Sequence, residues 1–219
     1  MKGFLFDFNG TLYDDSRLHM QAWRNYYREK FNRALSDAEV QSFIGPSNAD
    51  IFAMSLGVRL STEKAAELSA EKEAAYRAVA RSNPANLRLI DGVPEMLDLL
   101  AERKIPFALA TSSVRENVDF YLEDLGLKRW FSIDRIVYEE GKLASKPDPA
   151  FYIEAAHRIG LSPGDCTIVE DSPTGIQAAI NARAGRIIAI DRTAPRKWLE
   201  NRTEIDAIIH DFRGFERFI

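Results

Sequence analysis

The chain has 219 residues, a formal net charge of −4, and 46% hydrophobic and 28% charged residues. Those values describe an ordinary globular chain, large enough for one domain or for one domain carrying a smaller insert. No run of Lys or Arg marks a nucleic-acid or membrane-surface partner, and no apolar stretch nears the roughly 20 residues of a membrane span. The single cysteine, Cys166, excludes an internal disulfide and reads as a small core residue of an apolar strand. With no signal-like segment after Met1, the chain is expected in the cytoplasm, and as a monomer.

In chain order, Lys2 to Phe8 is a short apolar, aromatic run ending in Asp7-Phe8-Asn9-Gly10-Thr11, a buried first strand entering a turn. From about Asp15 to Ala80 the spacing is helical. Leu18, Ala22 and Tyr26 share one face, and Ala65, Leu68, Ala75 and Val79 another; Ser61 before Glu63 and Lys64 marks a helix start. After Asn83-Pro84-Ala85-Asn86, a polar break, the pattern alternates. Val93, Leu97 and Leu100 mark a helix before a strand over Pro106 to Ala110; Val114, Val118, Tyr121 and Leu122 mark a helix before a strand over Ile133 to Tyr138. Helix Pro149 to Ile159 precedes strand Cys166 to Val169, and helix Thr174 to Ala184 precedes strand Arg186 to Ile190. This alternation predicts an α/β fold with a mostly parallel sheet, its first strand separated from the rest by a helical insertion.

Ligands of open α/β sheets bind beyond the carboxyl ends of the strands. There the sequence places Asp7 and Asn9, then Thr111-Ser112-Ser113, then Glu170-Asp171-Ser172, with Lys146 opening the helix before that last strand. Carboxylates gathered at one rim need a counter-charge, and hard oxygen ligands suit magnesium. Lys146 and the hydroxyls suit an anion, and phosphate is the one that bridges to magnesium. The Gly10-Thr11 turn adds backbone N–H groups able to cradle phosphate oxygens. Singly, each piece has a plain alternative: an Asn-Gly turn, a helix cap, a solvated acidic loop. Their coincidence at successive strand ends is what argues for chemistry.

Those residues resemble the haloacid dehalogenase superfamily, in the branch related to β-phosphoglucomutase and phosphoglycolate phosphatase. The likeness runs over nearly the whole chain: Asp7-Phe8-Asn9-Gly10-Thr11-Leu12, Thr111 in Ala110-Thr111-Ser112-Ser113, Lys146 in Lys146-Pro147-Asp148-Pro149, and Glu170-Asp171-Ser172-Pro173-Thr174-Gly175. It implies a Rossmann-like parallel-sheet core over 1–13 and 84–219, and a helical cap over 14–83 that closes to exclude water. It implies that Asp7 attacks phosphorus to form an aspartyl phosphate. Mg2+ would be held by Asp7, the Asn9 carbonyl, Asp171 and, nearby or through water, Glu170. Thr111, Ser112, Gly10 and Lys146 would hold the transferring phosphoryl group.

Position 9 departs from the pattern. The family's phosphatases and mutases carry Asp there, which protonates the leaving group and then activates water or the acceptor hydroxyl. An amide does neither, so activity is expected to fall by about 10²- to 10⁴-fold. Natural divergence and an introduced Asp→Asn change are equally compatible with the residue. In the cap, His19 shares a face with Trp23 and Tyr26, where a packed ring is the ordinary reading; the family likeness of Asp14 to His19 implies a contact to a sugar phosphate instead. Lys72 lies on an apolar face, either snorkelling at its edge or contacting substrate. Phe43-Ile44-Gly45-Pro46-Ser47-Asn48 resembles the substrate-specificity loop, with Asn48 where β-phosphoglucomutase has arginine, which weakens a mutase assignment. Arg115 and Asn117 read as an exposed helix turn or as substrate contacts. The expectation is a phosphatase-like hydrolase of a small phosphorylated metabolite, a sugar or polyol phosphate. A β-phosphoglucomutase-like mutase and a non-catalytic phosphometabolite-binding protein are the alternatives.

Overall fold

A computed structural model describes residues 2–43, 45–192, 198–199 and 202–219; Ile44 of the loop noted above lies outside them. Along the chain, β1 (Gly3–Phe6) is followed by α1 (Ser16–Phe31), α2 (Asp37–Ser42), α3 (Asn48–Leu56) and α4 (Thr62–Arg81). Then come α5 (Val93–Glu102), β2 (Phe107–Val114), α6 (Arg115–Asp124), β3 (Ile136–Glu139) and α7 (Ala150–Arg158). The chain continues with β4 (Cys166–Glu170), α8 (Pro173–Asn181), β5 (Arg186–Ile190) and β6 (Ala207–Ile209). Two compact units result: Met1–Asp14 with Arg88–Ile219, and Asp15–Leu87. Among the described residues no helix is long and apolar enough to cross a membrane.

The first unit is built on a six-stranded parallel sheet of order β3-β2-β1-β4-β5-β6. All of β1 is buried, as a central parallel strand covered on both faces must be, which is why its sequence reads as a continuous apolar run. Chain progression reverses at β1, between β2 on one side and β4 on the other, so the crevice at a topological switch point opens where Asp7 leaves the strand. On one face, α7 and α8 bury Phe151, Tyr152, Ala155, Ile176 and Ala179 against Leu5, Ala108 and Ile168. Phe4 and Phe6 meet Phe212 and Phe215 in an aromatic cluster.

The second unit is all helical, around Trp23, Tyr27, Val40, Phe43, Ile51, Phe52 and Leu68. Its helix starts are locally encoded. Ser61 accepts the Lys64 N–H at 3.2 Å, and Ser36 with Glu39 forms a reciprocal capping box at α2.

Some boundaries differ from the sequence reading. Ile133–Arg135 is a 3-10 turn, and β3 starts only at Ile136, where pairing with Leu109 begins. β2 runs to Val114, four residues beyond the predicted end, carrying Thr111, Ser112 and Ser113 on extended backbone. The polar break closes as a 3-10 turn over Pro84–Asn86 capped by the Asn83 side chain. β6 has three residues and no periodicity to read; its register against β5 makes it a strand.

Candidate active site

Asp7 follows β1 directly, and its N–H still donates to Val169 of β4 at 3.0 Å, which extends the strand's pairing to the functional residue. Its carboxylate is buried. One oxygen accepts from Lys146 Nζ at 2.7 Å and the other from Thr11 Oγ1 at 3.1 Å. Lys146 reaches in from the segment before α7 and also donates to Glu170 Oε1 at 2.7 Å and to the Ala110 carbonyl at 3.1 Å. Tyr152 lies under the ammonium, its ring centroid 4.8 Å away, and its hydroxyl donates to the same Glu170 oxygen at 3.0 Å. The second Glu170 oxygen accepts the N–H groups of Asp171 and Ser172, at 2.8 and 2.9 Å, and the Ser172 hydroxyl at 3.0 Å. Glu170 is thus saturated by its own loop and by the lysine that it holds in place.

Two glycines make this packing possible. A Cβ on Gly10, whose φ is +80°, would stand 2.4 Å from the Asp171 carboxylate, and one on Gly175 would stand 1.6 Å from that of Glu170. Gly10 therefore supplies both the left-handed turn and the close approach of Asp171. Gly175, in the first turn of α8, leaves room for Glu170 beneath the helix start capped by Ser172.

Suitably placed oxygens of Asp7, Glu170 and Asp171 lie within 4.8 Å of one another. Among the described residues, the Lys146 ammonium is shared between two of these carboxylates, Asp7 and Glu170. Burial pushes the Asp7 carboxyl up to about 7 against the pull of Lys146, and Glu170 adds to the rise. For Glu170, burial is overcome by Lys146 and the loop N–H groups, which hold it below the ordinary value. Burial pulls the lysine down, but Asp7 and Glu170 more than offset it, and its ammonium is held above the usual range. The site thus keeps Lys146 and Glu170 charged and leaves Asp7 short of counter-charge. A hard divalent cation fits that deficit and that all-oxygen donor set.

Asn9 turns toward β2 and α6. Its Oδ1 accepts from Ser113 Oγ at 2.8 Å and from Thr111 Oγ1 at 3.1 Å, while its Nδ2 donates to the Tyr121 hydroxyl at 2.9 Å. Tyr121 and Ser113 are themselves 3.0 Å apart, which closes a ring of hydrogen bonds. Ser112, between the two bonded hydroxyl residues, is exposed. Alternation along a strand puts Thr111 and Ser113 on one face and Ser112 on the other. That period was available in the sequence and singles out Ser113. Tyr121 and Tyr152 carried no such signal, because each reads as an apolar helix position until the fold turns its hydroxyl to the rim. Arg115 is exposed and paired with Asp119 at 2.8 Å; Asn117, read as exposed, is buried at 2% because its turn of α6 faces inward.

In the helical unit, His19 and Lys72 are brought together. Lys72, 2% exposed, donates to His19 Nδ1 at 2.7 Å and to Glu73 at 2.8 Å, and the ring of His19 stacks on Tyr76 at 3.9 Å. His19 Nε2 lies 3.3 Å from Asp15, which also accepts from Tyr76 at 2.7 Å. Asn48 donates to Glu73 at 2.8 Å. Lys72 is therefore neither snorkelling nor at an edge.

A lysine-held aspartate thus stands at the switch point of the parallel sheet, with two further carboxylates converging on it. The chain belongs to the haloacid dehalogenase-like hydrolase family, whose profile matches residues 4–189. It is similar to a solved HAD hydrolase, family IA, variant 3, from Entamoeba histolytica HM-1:IMSS, at 31% identity and a TM-score of 0.90, over 98% of this chain and 95% of that one. Hexitol phosphatase A of Escherichia coli (strain K12) is 28% identical over 209 residues, 95% of this chain and 90% of that protein. Validoxylamine A 7'-phosphate phosphatase of Streptomyces hygroscopicus subsp. limoneus is 29% identical over 207 residues, 94% of this chain and 92% of that protein.

Proposed function

We propose that this chain is a magnesium-dependent phosphatase of a small sugar or polyol phosphate, working through an aspartyl phosphate on Asp7. The observation that carries the reading is the Asp7 carboxylate itself, oriented by Lys146 and Thr11 at the end of the central strand. Sugar and polyol phosphates fit the similarity to proteins called hexitol phosphatase A and phosphorylated carbohydrates phosphatase.

Asp7 attacks phosphorus, and the ester oxygen leaves; water then attacks the aspartyl phosphate and returns the carboxylate. Lys146 and Thr111 hold the phosphoryl oxygens; the Gly10 and Thr11 N–H groups, expected from the sequence to add to the cradle, are instead donated within the turn, to the Tyr13 and Phe8 carbonyls at 2.7 and 3.2 Å. Asp7, Asp171 and the Asn9 carbonyl would hold magnesium, with Glu170 beside them; the cation supplies positive charge against the phosphoryl oxygens. The unit Asp15–Leu87 acts as the cap. Asn9 orients without transferring protons, so the chain as written turns over slowly. That same amide favours one other reading, a binder of phosphorylated metabolites that has lost turnover.

Phosphate release from a panel of phosphate esters, with and without magnesium, tests this. Slow release by the chain as written, a rise of about 10²- to 10⁴-fold in Asn9→Asp, and none in Asp7→Ala are expected. Release that survives Asp7→Ala would overturn the nucleophile. No release from any ester by the chain or by Asn9→Asp would leave the binding role.

A further inference from the structure

Asn9 is followed by Gly10, and the site requires that glycine: any Cβ there would strike Asp171, and its φ is +80°. Asparagine before glycine is the pair whose side-chain amide is most open to attack by the next backbone nitrogen, since no Cβ shields it. Asn9 as a residue is half-buried. The bonds described above link it to three hydroxyls, those of Thr111, Ser113 and Tyr121. Each can donate to a carboxylate, Tyr121 by turning its proton away from Ser113 to the oxygen that replaces Nδ2. Two of them already donate to Oδ1 at 3.1 and 2.8 Å, which polarises Cγ and stabilises negative charge developing on that oxygen.

We propose that Asn9 is a self-modification site, at which deamidation converts a slow enzyme into one bearing aspartate at position 9. This rests on the phosphatase reading above and adds to it a way in which the chain acquires its missing acid–base group. The Gly10 nitrogen bonds to Asn9 Cγ as the Cγ–Nδ2 bond breaks, and the amide leaves as ammonia carrying the proton of that nitrogen. Water then opens the cyclic imide. Addition at the side-chain carbonyl restores the peptide and leaves aspartate; addition at the main-chain carbonyl leaves isoaspartate, with a lengthened backbone. The hydroxyls of Thr111 and Ser113 sit on the side-chain carbonyl, so aspartate is the main product. The Gly10 N–H donates to the Tyr13 carbonyl at 2.7 Å, and that bond must open first, which makes the conversion slow in the folded chain.

The test uses the full chain, held folded in neutral buffer at a physiological temperature. Peptide mass mapping follows position 9, and ion exchange separates the converted fraction by its added negative charge. Aspartate should accumulate ahead of isoaspartate, and the converted fraction should release phosphate about 10²- to 10⁴-fold faster than the unconverted one. Ser113→Ala should raise the isoaspartate share, and Asn9→Gln, whose longer side chain forms the ring poorly, should not convert. Position 9 staying amide while the same segment of denaturant-unfolded chain converts would overturn the proposal. So would isoaspartate as the main product, or equal turnover by the separated fractions. The Asn9→Asp variant tells the two failures apart. Inactive on every ester, it sinks the phosphatase reading; active beside an unchanging Asn9, it sinks this inference alone.

Discussion

Each unit of this protein buries one lysine against carboxylates, and the two arrangements end differently. In the helical unit, Lys72 meets Glu73, which also accepts from the Asn48 amide, and leans on His19. Burial would raise Glu73, but Lys72, His19 and Asn48 prevail and hold it down to about 2. His19 Nδ1 stands 2.7 Å from the Lys72 ammonium and its Nε2 3.3 Å from the Asp15 carboxylate, so the cluster closes on itself. At the strand rim, Lys146 is shared between Asp7 and Glu170, with Asp171 close by, and Asp7 rises to about 7. A satisfied charge cluster ties helices together. The other keeps a carboxyl raised to about 7 beside a neighbour of like charge, and such a shifted group has the character of an active site.

Breaking each lysine should therefore read out on different scales. In the Asn9→Asp background, Lys146→Met should lower kcat by at least about 10²- to 10³-fold, as losing one transition-state donor does. Lys72→Met should instead cost about 3 to 5 kcal/mol of stability in a denaturant melt, because Glu73 is left buried without the ammonium that offsets its charge. Adding Glu73→Leu to it should recover most of that loss. A double variant no more stable than Lys72→Met would show that the pair does more than neutralise itself.

Acid sharpens the same contrast. The folded Glu73 carboxyl sits near 2 against an ordinary 4.5, so its contribution is fully present above 4.5 and is lost as pH falls through about 2. The chain should lose a few kcal/mol across that window, and Glu73→Gln should flatten the slope there. Ser36→Ala, which removes the capping box of α2, should cost only about 1 kcal/mol. That change serves as a surface reference for the buried pairs.

Much of this was legible in the residues. The apolar run into Asp7, the strand-to-helix alternation after Pro84, and the polar residues at strand ends each follow from local pattern. Ser61 as a helix cap was readable because capping is settled within three residues. Less legible were elements defined by a partner strand. β6 exists through its register with β5, and β3 begins where Leu109 is available to pair.

By itself, then, the sequence determined the order of the elements, the parallel sheet with its insert, and the identities of Asp7, Lys146, Glu170 and Asp171. These depend on hydrophobic period and on motifs a few residues long. Only the tertiary structure decided that Lys146 bonds Asp7 and Glu170 together, that Ser113 and Tyr121 enclose Asn9, and that Lys72 is buried against His19 and Glu73. Those contacts join residues that are mostly tens of positions apart. Their energies depend on burial and on which charges share one low-dielectric space, and no local pattern records either.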